Sequence, residues 1–141
     1  MTRFYQELEH TADWMVRVWG ESREALFEHA AEAMFELQGA DLAAQTTATT
    51  PITCQAPDLE ALLIAWLSEL LFHSETANVV YTSFAVEIDA DQDATRGFSL
   101  SARAKSYAGR GPLAHVKAVT YYNLAVKQTG DGWESTVTFD T

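Results

Sequence analysis

The stretch "FSLSARAK", residues 98–105, decides the fold class. Phe98, Leu100, Ala102 and Ala104 fall on one side of an extended chain, and Ser99, Ser101, Arg103 and Lys105 on the other, because successive strand side chains point to opposite faces. That alternation wants one buried face and one wet face. An antiparallel sheet provides both; a parallel sheet is covered on both sides. The pattern recurs. Phe84, Val86 and Ile88 make one set. Trp133, Val137 and Phe139 alternate with Glu134, Thr136 and Thr138. In "VKAVTYYNLAV", residues 116–126, Val116, Ala118, Tyr122, Leu124 and Val126 share a face across Thr120, leaving Lys117, Val119, Tyr121 and Asn123 outward. Residues 15–19 and the surroundings of Ile52 and Thr53 also read as strands. "TGDGW", residues 129–133, reads as a hairpin turn between the last two strands.

Two segments change period from two to 3.6. From about Ser22 to Leu37, residues Leu26, Phe27, Ala30, Ala31, Met34 and Phe35 make one apolar stripe, with Ser22 placed to cap it and Gly39 to stop it. From about Asp58 to His73, residues Leu59, Leu62, Leu63, Trp66, Leu67, Leu70 and Leu71 make a wider apolar face, and Asp58 can cap it. "GADLAAQTTATTP" between them reads as a small polar connection. The order predicts an α+β sandwich with about seven mostly antiparallel strands and two helices. The 141 residues fit a single domain spanning 1–141.

Composition narrows the function classes. At 48% apolar residues, disorder is excluded, and no apolar run reaches bilayer length. The acids in "MTRFYQELEH" exclude a signal peptide, so a cytoplasmic protein is expected. Cys54 has no partner for a disulfide and reads as a small buried residue. Twenty acids against nine Lys and Arg give a net charge of -11, which repels phosphate backbones. Stable direct nucleic-acid binding is therefore not expected; cations and basic proteins suit this surface better.

Few constellations carry chemistry. Asp89, Asp91 and Asp93 have the spacing of a calcium loop, but Ala94 stands where the sharp turn wants Gly, and Leu100 where a bidentate Glu is needed. The segment reads as a solvated hairpin loop. No Gly-rich phosphate loop, paired-Cys zinc motif or helical His-Glu-x-x-His is present. His10, His29, His73 and His115 lack metal-ligand spacing, and His29 and His73 read as solvated helix residues. Asp13 in "HTADW" and Asp140 in "TVTFDT" each lie at a strand edge beside an aromatic residue. Each is either a turn or cap residue, or one half of a site for a hard divalent cation, which prefers oxygen ligands. The carboxylate of Thr141 would add another oxygen. Lys117 is either solvated or in contact with a partner's acid or phosphate.

Taken together, "HTADW" at 10–14, "EALFEHAAEAMFEL" at 24–37, "DLEALLIAWLSELLF" at 58–72, "VKAVTYYNLAV" at 116–126 and "GWESTVTFDT" at 132–141 resemble the archease family, in its order and over nearly the whole chain. The resemblance implies a two-layer α/β sandwich. It implies a non-catalytic protein that activates a GTP-dependent RNA ligase of tRNA splicing and RNA repair, promoting ligase guanylylation and multiple turnover. It implies a divalent cation, calcium, with magnesium or manganese as substitutes, on Asp13, Asp140 and Thr141, and a lysine linked with activation at Lys117. Tyr122 stands where the family usually has His, and Ser68 where it usually has Asn. Two rival classes are a chaperone-like binding module for nucleic-acid-modifying proteins and a metal-dependent hydrolase.

Overall fold

The computed structural model describes residues 4–8, 14–90, 97–109 and 116–141. In chain order these form β1 (Tyr5–Leu8), β2 (Trp14–Gly20), α1 (Arg23–Leu37), β3 (Ala48–Ala56), α2 (Leu59–Ala77), β4 (Val79–Ala90), β5 (Phe98–Ala108), β6 (Ala118–Thr120), β7 (Lys127–Thr129) and β8 (Gly132–Asp140). One sheet runs β1-β2-β8-β6, with β7 also on β8; the other runs β3-β5-β4. Every pairing is antiparallel, so the α+β class read from the alternation holds. Among the described residues there are eight strands, one more than expected. No helix among them is long and apolar enough to cross a membrane.

Both helices start where the caps predict. The Ser22 hydroxyl accepts from the Ala25 N–H at 3.0 Å, and the Asp58 carboxylate from the Ala61 N–H at 2.7 Å. Gly39, at φ 95°, takes the left-handed conformation just past α1. The helix buries Leu26, Phe27, Ala30, Ala31, Ala33, Met34 and Phe35, a wider arc than one stripe, because it packs on β2 and β8 of one sheet and β4 of the other. On α2, Leu62, Leu63, Leu67 and Leu70 are fully buried around Trp66. The Trp66 indole N–H donates to the Phe27 carbonyl at 3.0 Å, and its ring meets Phe84 of β4 edge-on at 5.9 Å. One side chain thus ties α2, α1 and the smaller sheet.

The structure corrects several expectations. α2 continues to Ala77, four residues past His73, because Asn78 closes it at φ 53°, its N–H on the Ser74 carbonyl. Asn tolerates that conformation through its short polar side chain. β3 begins at Ala48, inside the expected connection. β1 was hidden by its exposed Gln6 and Glu7. "VKAVTYYNLAV" is not one strand. Its strand is only β6, and Asn123 at φ 52° turns the chain, with the Leu124 N–H on the Tyr121 carbonyl at 2.9 Å. Val116 is buried, Leu124 and Val126 pack against the core, and Lys117, Tyr121 and Asn123 are exposed, as expected, but three positions depart: Val119 pairs with Phe139 and is buried, while Ala118 and Tyr122 are exposed. His29 is half-buried rather than solvated. It stacks on Phe4 at 4.2 Å, and its Nδ1 lies 2.7 Å from the Trp19 carbonyl, which can only accept, so Nδ1 carries the proton.

The hairpins hold. Thr129 pairs with Gly132 and Ala90 with Phe98, the latter closing around the Asp91–Asp93 segment, which lies outside the described residues. Gly132 runs so close to β2 that a Cβ there would stand 2.3 Å from the Gly20 carbonyl oxygen. The smaller sheet has two edges. Pro51 sits on β3, where a missing N–H is tolerated only if it points away from the ladder. On β4 the Val86 N–H donates to the Glu28 carboxylate of α1 at 2.8 Å.

Candidate cation and activation site

Three of the predicted site residues, Lys117, Asp140 and Thr141, lie on or beside β8. It is a central strand with Val137 and Phe139 fully buried, so its position is fixed by the core while its last residue, Asp140, reaches solvent. On one flank Trp14 of β2 pairs with Phe139. On the other, Ala118 of β6 pairs with Asp140, and the Lys117 N–H donates to the Asp140 carbonyl at 2.8 Å. The structure therefore brings Lys117 and Asp140 together, and Lys117 is exposed. Thr141 follows directly and is half-buried. Asp13 lies outside the described residues; its neighbour Trp14 is one strand pairing and one residue from Asp140.

The sequence reading missed Thr138. It belongs to the row expected to be wet, two residues before Asp140, yet it is only 2% exposed. Its hydroxyl has no hydrogen-bond partner among the described residues. A buried threonine in a wet row has no signature in one sequence, because its burial depends on what flanks it. Asp140 and Thr141 offer oxygen donors only. That donor set fits a hard cation such as calcium, magnesium or manganese and not a soft one. Among the described residues no group of three or more His, Cys, Asp or Glu is placed to hold a metal.

The other titratable groups belong to the scaffold. Burial pushes the Glu32 carboxyl up, the nearby His29 opposes this and Glu28 adds to it. The folded protein holds that proton more tightly than the unfolded chain, so Glu32 detracts from stability as pH rises through its folded value. Cys54 is buried as expected. Burial first, and the Glu69 carboxylate second, push its thiol up to about 11. The thiolate is the reactive form, so at pH 8 Cys54 should react with a thiol reagent at least tenfold more slowly in the folded protein than in urea. Equal rates in a chromogenic disulfide assay would show that the thiol is accessible and ionised.

Residues 5–141 match the model of the archease protein family (MTH1598/TM1083). The protein archease of Methanosarcina barkeri is 35% identical, with 96% of this chain and 94% of that protein aligned. The protein archease of Methanosarcina mazei is 37% identical over 96% and 94%. The solution structure of Methanobacterium thermoautotrophicum protein 1598 superposes with a TM-score of 0.84 at 26% identity, covering 99% of this chain and 100% of that one. A crystal structure from Thermotoga maritima, described as an archease and possible chaperone, gives 0.61 at 19% identity over 96% of each chain, a likeness of fold alone.

Proposed function

Because the chain belongs to the archease family, we propose that it is a non-catalytic activator of a GTP-dependent RNA ligase, promoting guanylylation of the ligase and repeated turnover. Asp13, Asp140 and Thr141 would hold a divalent cation, and Lys117 would act beside them. The observation that carries the reading is the hydrogen bond from the Lys117 N–H to the Asp140 carbonyl, which holds an exposed lysine and an exposed aspartate at neighbouring backbone positions. When bound, the cation would supply positive charge where phosphate oxygens must be drawn together. Lys117 would supply a mobile point charge for the same oxygens. Asp140, fixed through Phe139 in the core, would set the distance between them. The net charge of -11 would speed docking on a basic, RNA-handling enzyme. A second reading, a chaperone-like binding module, is supported by the likeness to the Thermotoga maritima archease, a possible chaperone. Transfer of labelled guanylate to the cognate ligase separates the two.

The cation has its own test. A ligand that binds only the folded state at a hundredfold excess over Kd stabilises it by about 2.7 kcal/mol. For a chain of this size that raises the melting temperature by roughly 8 °C. Calcium or manganese should produce such a rise in the wild type, and Asp13→Asn and Asp140→Asn should each remove most of it. A rise that survives in both variants would exclude this cation site.

A further inference from the structure

The charges of this chain are segregated. Residues 94–130 contain no acid, yet they carry Arg96, Arg103, Lys105, Arg110, Lys117 and Lys127, six of the nine Lys and Arg. All 20 acids lie elsewhere. Inside this acid-free window stand two of the three large apolar side chains most exposed among the described residues, Tyr121 at 58% and Tyr122 at 61%. They are adjacent, in a turn that is tied down. The Leu124 N–H closes it on the Tyr121 carbonyl at 2.9 Å, and the Tyr122 N–H donates to the Thr120 hydroxyl at 3.0 Å. Lys117 and Lys127, both exposed, flank the turn along the same edge of β8.

We propose that this edge binds single-stranded RNA, with Tyr121 and Tyr122 stacking on bases and Lys117 and Lys127 meeting phosphates. Every base has a π-face, so exposed rings between cations form a sequence-tolerant platform for single strands, whose bases are free to stack. A duplex hides those faces. Because the turn is held by its own hydrogen bonds, little ordering remains to oppose binding. For the Tyr121–Tyr122 turn and Lys127 a protein partner is the less suitable occupant, since protein interfaces are depleted in Lys; Lys117 is shared with the proposed ligase contact. The net charge of -11 opposes any polyanion, but at physiological salt charges more than about 8 Å away are largely screened. Four acids border the edge. Glu134, opposite Lys127, is ion-paired with Arg17; the Glu60 carboxylate accepts from the Val126 N–H at 2.7 Å; Asp131 lies in the turn between β7 and β8; and Asp140, opposite Ala118, would be neutralised by the proposed cation. The inference goes beyond ligase activation, because guanylylation needs no RNA; the labelling assay tests that reading separately.

The test is fluorescence anisotropy in calcium buffer with a labelled single-stranded RNA about ten nucleotides long, within known site sizes. The same RNA annealed to its complement, and a polyglutamate peptide, serve as comparisons. The wild type should bind the single strand at least tenfold more tightly than the duplex. The double variant Tyr121→Ser, Tyr122→Ser should weaken this by roughly tenfold or more, and Tyr121→Phe, Tyr122→Phe should restore it. Lys127→Gln should flatten the slope of log affinity against log salt by about 0.7. Melting curves establish that each variant is folded. No binding by the wild type, or equal binding by the serine variant, would overturn the proposal. So would polyglutamate binding as tightly as RNA, which would make the edge a docking face for an acidic protein segment.

Discussion

Catalytic amounts of this protein, added to its cognate ligase with GTP and Mn²⁺, should accelerate formation of the ligase-guanylate by roughly 5- to 150-fold, the range of ordinary coupling energies between sites. Asp140→Ala should abolish the gain, and Lys117→Ala should abolish most of it. The two variants differ in a way that identifies their roles. Asp140→Ala should also lose the rise in melting temperature with calcium, while Lys117→Ala should keep it, since that side chain is not expected to hold the cation. The physical requirement is differential affinity. An activator that bound every state of the ligase equally would shift nothing, however tightly it bound. The gain must therefore come from contacts made only in the guanylylation-competent state. Lys117, exposed on a long stem and anchored by its backbone to Asp140, is placed for such contacts. Labelling at the same rate with and without the protein, across several salt concentrations, would defeat the activator reading and leave the chaperone-like module.

The largest effect on stability should come from Trp66→Ala. The ring is fully buried, and its removal takes away contacts with two other elements, α1 and β4, at once. Large-to-small substitutions of buried aromatic residues cost about 3–5 kcal/mol. Here the Phe27 carbonyl also loses its indole donor and stays buried. Against a total stability of about 5–15 kcal/mol, that is a large share. Trp66→Phe should cost clearly less, because the ring retains most of the volume and sacrifices the N–H. Urea denaturation gives both values. A cost below about 1.5 kcal/mol for Trp66→Ala would mean that the core closes over the gap, and that Trp66 does not tie the helices to the smaller sheet.

What was legible in the sequence follows from how local each signal is. Helix starts at Ser22 and Asp58 rest on a side chain and an N–H three residues away, and both appear as expected. The alternation in residues 98–105 holds because Leu100, Ala102 and Ala104 face the core throughout β5. The failures come where partners are distant in sequence. Val119 faces inward because Phe139 lies beside it, which no pattern within residues 116–126 can reveal. His29 is fixed by Phe4 and Trp19, and Thr138 is buried by its surroundings on the sheet. For the site, the hydrogen bond from the Lys117 N–H to the Asp140 carbonyl joins residues 23 positions apart. Their connection could be anticipated only through resemblance to other chains, since neither residue carries a local motif.

The two edges of the smaller sheet have a consequence for behaviour in concentrated solution. A free strand edge is a template on which another copy can add a strand, and then another. Pro51 offers no N–H to an incoming strand, so a ladder begun on β3 is broken in its middle. On the far edge the Glu28 carboxylate occupies the Val86 donor and sets a negative charge in the way of an approaching backbone. Fibre growth by strand addition is thereby resisted in both directions, by a missing donor on one side and an occupied one on the other.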